Sequence, residues 1–184
     1  MGTITPRDVT LKSGAVVRLR AASAADAAAL VTQMAAETAE RVYGVTEPDE
    51  LTRDEAQERQ RIQRYTEDAN SLLLVAEAAG AVVGSLDFTT PPLRRMRHAG
   101  RLGISVAAAW RERGVGRALL AALLEWARAH PTIEKVTLGV LATNARAIHV
   151  YELMGFVEEG RQVRAFRLGP GEYVDDVLLY QFVK

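Results

Sequence analysis

A short basic segment with two glycines has the residue types of a phosphate-binding turn. It joins an expected strand, Arg101–Val106, to an expected helix, Gly114–Ala129, and it reads Arg111-Glu112-Arg113-Gly114-Val115-Gly116-Arg117. Glycines two apart let the backbone turn tightly and approach a ligand without a Cβ atom in the way. The unpaired N–H groups of a first helical turn attract a phosphate, and three arginines add positive charge. The segment therefore predicts a pyrophosphate cradle.

Two common phosphate-binding loops are excluded here. A P-loop requires Gly-Lys-Ser/Thr, which occurs nowhere in the chain, and a dinucleotide loop requires three glycines in a GxGxxG frame, whereas Gly116 is followed by Arg-Ala-Leu. The pattern that remains is Arg-x-x-Gly-x-Gly after an apolar strand. It resembles the acyl-coenzyme A loop of the GCN5-related N-acetyltransferase (GNAT) family.

A second segment carries the same resemblance. From Asn144 to Phe156 the chain reads Asn-Ala-Arg-Ala-Ile-His-Val-Tyr-Glu-Leu-Met-Gly-Phe. This is similar to the family's pattern of Asn, a small residue, an aliphatic residue, Tyr-Glu and a closing Gly-Phe. The order and the spacing from the first loop also agree. The resemblance covers residues 72–184 closely and residues 16–40 loosely.

The second segment also has a physical interpretation of its own. Asn144 is a good helix N-cap, and Gly155 can supply the left-handed residue that stops a helix. Between them Ala147, Ile148, Tyr151 and Met154 share one helical face. On this ground alone Asn144 is simply a cap and Tyr151 a buried core tyrosine.

The resemblance implies a binding site for acetyl-CoA. In the family the fourth and fifth strands splay apart and the pantetheine arm pairs with the fourth strand, while a tyrosine of the following helix donates a proton to the departing thiolate. Here that tyrosine is Tyr151. The implied cofactor-binding residues are Ile104, Ser105, Val106, Arg111, Glu112, Arg113, Gly114, Val115, Gly116, Arg117, Asn144 and Ala147.

A general base for the amine is not evident. Many members of the family place a glutamate near the position of Gly100 or Arg101, and others near that of Gly139, but neither carboxylate is present. His98 shares a strand face with Gly100, and its ordinary pKa suits a base. It is the predicted catalytic base, and a structural histidine is the alternative.

The acceptor site is expected in the N-terminal helix–loop region and the last hairpin. Glu37, Tyr43 and Glu47 are the predicted substrate-binding residues, because acidic groups would attract a cationic amine. A solvated charged loop is the alternative. Asp175 and Asp176 alternate on the last strand, and the sequence does not decide whether either of them binds the substrate or lies in solvent.

Composition narrows the function classes. The 23 basic and 23 acidic residues cancel, so no basic field for nucleic acid is expected. With no cysteine and three scattered histidines, no metal site is expected. No apolar run reaches 18 residues, so we expect no membrane partner and a cytoplasmic location. A homodimer is common in the family, but no residue indicates one.

The periodicity and turn signals predict an α/β protein. We expect a central mixed, mostly antiparallel sheet of about seven strands flanked by helices, in one domain over residues 1–184 with its core from about residue 16. The second helix is expected to begin at a capping box of Thr52 and Glu55. The resemblance implies an N-acetyltransferase acting on a small-molecule amine or a protein N-terminus. The alternative function is a non-catalytic acyl-CoA sensor.

Overall fold

The computed structural model describes residues 2–184 of the chain. Eight strands form one sheet in the order β1-β2-β3-β4-β5-β6-β8-β7. The strands are β1 (Arg7–Thr10), β2 (Val16–Ala21), β3 (Leu72–Ala78), β4 (Ala81–Thr89), β5 (Ala99–Val106), β6 (Lys135–Leu141), β7 (Val157–Gly169) and β8 (Glu172–Phe182). The helices are α1 (Ala27–Glu40), α2 (Glu55–Glu67), α3 (Val115–Ala129) and α4 (Ala145–Leu153).

The predicted mixed, mostly antiparallel sheet is confirmed. Only β5 and β6 run parallel, because α3 carries the chain back across the sheet between them. The strand that the sequence did not indicate is β1. It has only four residues, and it pairs with β2 from Arg7 opposite Leu19 to Thr10 opposite Val16.

The sheet has two covered faces, and side chains of each strand alternate between them. On the face that we call the α3 face, Leu74 belongs to the same buried cluster as Leu119 of α3. On the opposite face, the α1–α2 face, Leu73 is buried in a cluster with Leu30 of α1 and Ile62 of α2. Burial on both faces explains why β3 reads as an almost continuous apolar run.

The strands β5 and β6 diverge along their length. They pair at Ala99 with Lys135, at Gly100 with Val136 and at Arg101 with Thr137, and the ladder ends there. On its other edge β5 stays paired with β4 as far as Val106. One edge of residues 102–106 is therefore open. The resemblance implied this gap between the family's fourth and fifth strands, which are β5 and β6 here because β1 precedes them.

Two predicted element boundaries were wrong. The helix α2 is capped by Asp54 rather than Thr52: Asp54 accepts from the Gln57 amide at 2.8 Å, and the Gln57 side chain accepts from the Asp54 amide at 3.0 Å. The same box therefore exists two residues later. The strand expected over Arg101–Val106 begins two residues earlier, at Ala99, directly after a run of turns.

A buried ion pair joins β2 to the start of α1 and yields a stability prediction. Arg20 donates to both Asp26 oxygens at 2.7 Å, and Ser23 donates to the same carboxylate. Burial would raise the pKa of Asp26, but the hydrogen bonds from Arg20 and Ser23 outweigh it and lower that pKa. We expect Asp26→Asn to reduce the free energy of unfolding by about 2–3 kcal/mol at pH 7, measured by urea denaturation.

The pH dependence of that loss follows from the lowered pKa. The stabilisation by Asp26 is full above its unfolded pKa, about 4, and is lost as the pH falls through the folded pKa. The difference in the free energy of unfolding between wild type and Asp26→Asn should therefore shrink as the pH falls. The control is Asp8→Asn, since Asp8 lies 3.8 Å from Arg18 with both side chains more than half exposed, and it should cost less than about 0.5 kcal/mol. A gap of constant size from pH 7 to pH 3 would contradict the assignment.

Candidate active site

The N-terminus of α3 presents backbone donors that the protein itself does not use. Gly114 is the N-cap, with φ at 98°, a left-handed conformation that glycine adopts without strain. Because glycine has no side chain, no cap hydrogen bond is formed. The first amides, from Val115 to Arg117, have no residue four positions earlier in the helix to accept from them. The helices α2 and α4, by contrast, are capped by their own Asp54 and Asn144.

A cleft of about 620 Å³ opens beside this helix end, between β5, α3 and α4. It gathers most of the residues predicted from the sequence. They are Glu37, Tyr43, Ile104, Ser105, Val106, Arg111, Glu112, Arg113, Gly114, Gly116, Arg117, Asn144, Ala147 and Tyr151. Val115 is the exception among the loop residues, since its side chain is buried in the core.

The structure gives Arg111 a different role from the predicted one. Its guanidinium binds both carboxylate oxygens of Glu40 on α1, and its Nε donates to the Val106 carbonyl at 3.0 Å. These hydrogen bonds lower the pKa of Glu40. Arg111 therefore fastens α1 to the end of β5, and its charge is already balanced by a carboxylate.

Asn144 and Tyr151 position α4 against the cleft. The Asn144 side chain caps the helix by accepting from the Ala147 amide at 3.2 Å, and Gly155 ends it with φ at 91°. The Tyr151 ring is buried against Phe156 with centroids 5.9 Å apart. Burial, and then the nearby charge of Glu37, raise the pKa of Tyr151 to about 12. Its hydroxyl is therefore protonated at every physiological pH and can donate into the cleft.

Comparison with known proteins agrees with this geometry. The sequence profile of the acetyltransferase (GNAT) family matches residues 32–156, which is more than half of the chain. The chain belongs to this family. The match covers the open strand β5, the glycine turn and α4, so the family core and the cleft coincide.

Individual members of the family are similar to this chain in sequence and in structure. An L-amino acid N-acetyltransferase from Escherichia coli (strain K12) is 37% identical over 102 residues, which span 55% of this chain and 62% of that protein. The matched segment is thus less than two thirds of the relative's own length. A solved GNAT acetyltransferase from Streptococcus pneumoniae superposes with a TM-score of 0.86 at 26% identity, over 91% of this chain and 99% of that one.

A further solved structure was determined with the cofactor that the sequence predicts. It is a putative acetyltransferase from Salmonella typhimurium with acetyl-CoA, and it has a TM-score of 0.82 at 20% identity over 91% of this chain and 94% of that one. At this identity the likeness shows the shared fold. The acetyl-CoA predicted from the sequence is thus the cofactor of GNAT structures.

The predicted acceptor residues separate into two groups on this GNAT fold. Glu37 and Tyr43 lie at the cleft, and Tyr43 stacks beneath the guanidinium groups of Arg111 and Arg146 at 5.3 and 5.5 Å. Glu47 is exposed, lies outside the cleft lining and pairs with Arg41 at 3.3 Å. The geometry therefore supports Glu37 and Tyr43 as acceptor residues and gives no support to Glu47.

His98 lies far from the chemistry that the sequence predicted for it. It is exposed, it precedes β5, and its backbone carbonyl accepts from Glu134 and Lys135 at the closed end of the β5–β6 pair. Six residues of extended strand separate it from Ile104, which is about 20 Å. A base at His98 could not reach an amine at the open edge, and we assign it no catalytic role.

The structure adds cations to the cleft that the sequence analysis missed. Lys12 lines it from the β1–β2 hairpin and Arg146 from α4. Within residues 2–184, neither Lys12 nor Arg117 has an acidic partner within 4 Å, whereas Arg146 pairs with Glu112 at 2.6 Å. Lys12 could be recognised only from the structure of the hairpin, because no local sequence pattern marks it.

Over residues 2–184 no cluster of three His, Cys, Asp or Glu could hold a metal ion, and no helix is long and apolar enough to cross a bilayer.

Proposed function

We propose that the protein is an acetyl-CoA-dependent N-acetyltransferase that moves the acetyl group directly to the primary amine of a small molecule. The observation that carries the proposal is the convergence, in one cleft, of an open strand edge, an unpartnered helix N-terminus and a protonated tyrosine. A module that only binds acyl-CoA has no need of the third feature. We propose that residues 1–184 act as one domain in this reaction.

The groups present in the cleft fit the parts of acetyl-CoA. The amides of Val115, Gly116 and Arg117 suit the diphosphate, since they converge at the positive end of the α3 dipole. A side chain at position 116 would project into the cleft that the diphosphate is to occupy. The open edge of Ile104–Val106 suits the amides of the pantetheine arm, which would add to the sheet as a further strand.

When bound, acetyl-CoA supplies an acetyl group activated as a thioester. Tyr151 then stabilises the sulfur as it departs, by donating a hydrogen bond from the end of α4. Complete transfer of its proton is opposed, because a hydroxyl of pKa about 12 is a weaker acid than a thiol of pKa about 8.5, by roughly 4–6 kcal/mol. We therefore assign Tyr151 the role of hydrogen-bond donor to the leaving sulfur.

The acceptor is proposed to be a small amine, such as an amino acid. The relative from Escherichia coli is named for that substrate class. Glu37 lies where the cleft meets a second cavity of about 580 Å³ along α1. Its carboxylate is close enough to Tyr151 to raise the pKa of the tyrosine, so it can attract a cationic amine toward the reacting groups.

The test is release of free thiol from acetyl-CoA in the presence of amino acids, polyamines, amine drugs and N-terminal peptides. We expect turnover with at least one free small amine and the acetylated amine as product by mass spectrometry. Tight binding of acetyl-CoA without turnover on any amine would contradict the enzyme and favour an acyl-CoA sensor. Turnover with the peptides alone would contradict the small-molecule acceptor.

A further inference from the structure

We propose that Asp176, on β8, takes the proton that the acceptor amine loses as it is acetylated. The proposal rests on the proposed N-acetyltransferase function and adds the base that the sequence did not show. It is carried by the position of one buried carboxylate relative to the opening between β5 and β6.

Asp176 and Tyr151 lie on opposite faces of the sheet. Val177 and Tyr151 belong to the buried cluster on the α3 face. Asp176, the neighbour of Val177 on an extended strand, therefore points to the α1–α2 face. Ser105 of β5 points to the same face, since its hydroxyl accepts from Gln33 of α1 at 2.9 Å. A group leaving beside Tyr151 and an amine arriving beside Asp176 would lie on opposite sides of the reacting carbon.

The carboxylate lies directly over the point where the strands part. The last β5–β6 pair is Arg101 with Thr137, so the next residues on the α1–α2 face are Gly103 and Gly139. A Cβ atom built on Gly139 would lie 2.6 and 2.7 Å from the two carboxylate oxygens of Asp176, and closer still to Nη2 of Arg101. The missing side chain at position 139 is thus what lets the Asp176 carboxylate and the Arg101 guanidinium meet over β6.

A second aspartate shows by contrast why Asp176 is the available one. Asp87 of β4 covers Gly103 in the same way, at 2.9 Å from a Cβ built there. Its carboxylate, however, already accepts from the Tyr65 hydroxyl at 3.0 Å and pairs with Arg61 at 3.2 Å. Asp87 is therefore fully engaged in holding α2 to the sheet.

Asp176 has one loose ionic partner and accepts no hydrogen bond among the described residues. It is 4% exposed, and among residues 2–184 no group donates a hydrogen bond to its side chain. The nearest cation is Arg101, at 3.6 Å and with 60% of its side chain exposed, which is beyond hydrogen-bonding distance. A carboxylate that accepts no hydrogen bond within the protein is free to accept one from a ligand. An amine N–H arriving beside the Arg101 guanidinium would supply one.

Few other charges face this carboxylate. Arg101 approaches it from β5, and Asp87 lies beyond Gly103 on β4. On β6 the charged residue of the same face is Lys135, which is paired with Glu159. On β7 the residue opposite Asp176 is the uncharged Gln162. On α1, Glu37 lies where the two cavities meet. Among the described residues, Arg101 is the one cation within 4 Å of Asp176.

The proposed step balances in atoms and charge. The bound ammonium first loses a proton to solvent, since only the neutral amine has a lone pair for attack. The neutral nitrogen then bonds to the acetyl carbon, the C–S bond breaks with its electron pair on sulfur, and the second amine proton moves to Oδ2 of Asp176. Bonding to the acyl carbon withdraws electron density from nitrogen and makes its N–H far more acidic than that of a free ammonium, so a carboxylate suffices as base. The thiolate leaves hydrogen-bonded to Tyr151, and Asp176 returns its proton to solvent.

The test compares Asp176→Asn with Asp175→Asn on the amine that the wild type acetylates. We expect Asp176→Asn to lower kcat by about 100-fold at pH 7 and to leave the Kd for acetyl-CoA unchanged. Its rate should keep rising with pH where the wild-type rate has levelled, because only hydroxide or water then removes the proton. Asp175, whose side chain accepts from the Arg164 amide at 2.7 Å on the other face, should tolerate the same change within about twofold.

A second variant keeps the negative charge of Asp176 but shifts its position. In Gly139→Ala the new Cβ would displace the Asp176 carboxylate together with the Arg101 guanidinium beside it, so kcat should fall while coenzyme affinity holds, even if Asp176→Asn fails to fold. If the wild type is active and both Asp176→Asn and Gly139→Ala share its rate and pH profile, the role of Asp176 is overturned. The proposed acetyltransferase function would not be affected by that result. A wild type that acetylates no amine would overturn the proposed function and, with it, this base.

Discussion

Replacing Tyr151 with phenylalanine is expected to lower kcat by about 100- to 1,000-fold. The change removes one hydroxyl, which has no hydrogen-bond partner within residues 2–184, and keeps the ring that packs on Phe156. The departing sulfur would then lose its donor in a site where water cannot easily replace it. Stopped-flow or steady-state thiol release gives kcat, and calorimetry gives the Kd for acetyl-CoA, which should change by less than about twofold.

The pH profile tests the same role independently. Because burial and Glu37 raise the pKa of Tyr151 to about 12, the hydroxyl stays protonated up to about pH 11. The wild-type kcat should therefore show no decline from Tyr151 ionisation between pH 7 and pH 10. The matched control is Tyr173→Phe, since Tyr173 is exposed on β8 far along the hairpin. Equal kcat values for Tyr151→Phe and Tyr173→Phe would remove Tyr151 from the mechanism.

Replacing Gly116 with aspartate is expected to weaken acetyl-CoA binding by about 100-fold. A Cβ atom at this position would lie 3.8 Å from Ile104 and Val106, so the fold accommodates a side chain. The loss would come from the ligand side, because a carboxylate about 4 Å from a diphosphate is repelled by about 4 kcal/mol at an effective dielectric of 20, less where solvent screens it. Calorimetric titration with acetyl-CoA measures the effect.

Two controls separate charge from size at that position. Gly116→Asn has nearly the same volume without the charge, so it should cost about tenfold or less in Kd. Gly160→Asp places the same charge on β7, where a side chain would meet nothing within 4 Å, and should leave the Kd unchanged. Native affinity in Gly116→Asp would show that no diphosphate lies at the start of α3.

The features that local sequence patterns predicted are those that depend on neighbours along the chain. The turn at Gly114 and the cap at Asn144 each act within one helical turn, so their residue types alone indicate them. The mixed sheet followed from the order of these elements, whereas the gap that forms the cleft was implied by the resemblance to the family.

The features that the sequence could not show depend on contacts between distant segments. Arg111 was expected to face a phosphate, but it is held by Glu40, 71 residues earlier. His98 was expected to share the reacting face, yet the closed end of the β5–β6 ladder keeps it away. Asp176 could be recognised only once the register placed it over Gly139, because a missing Cβ on one strand and a carboxylate on another leave no pattern in either segment.

The central claim, that backbone amides at the start of α3 hold the diphosphate of acetyl-CoA, is tested most directly by a crystal structure of the protein with coenzyme A. We predict phosphate oxygens within about 3.2 Å of the amides of Val115, Gly116 or Arg117, and the pantetheine amides paired with Ile104–Val106. A diphosphate bound elsewhere, with the open edge of β5 left to water, would contradict the account.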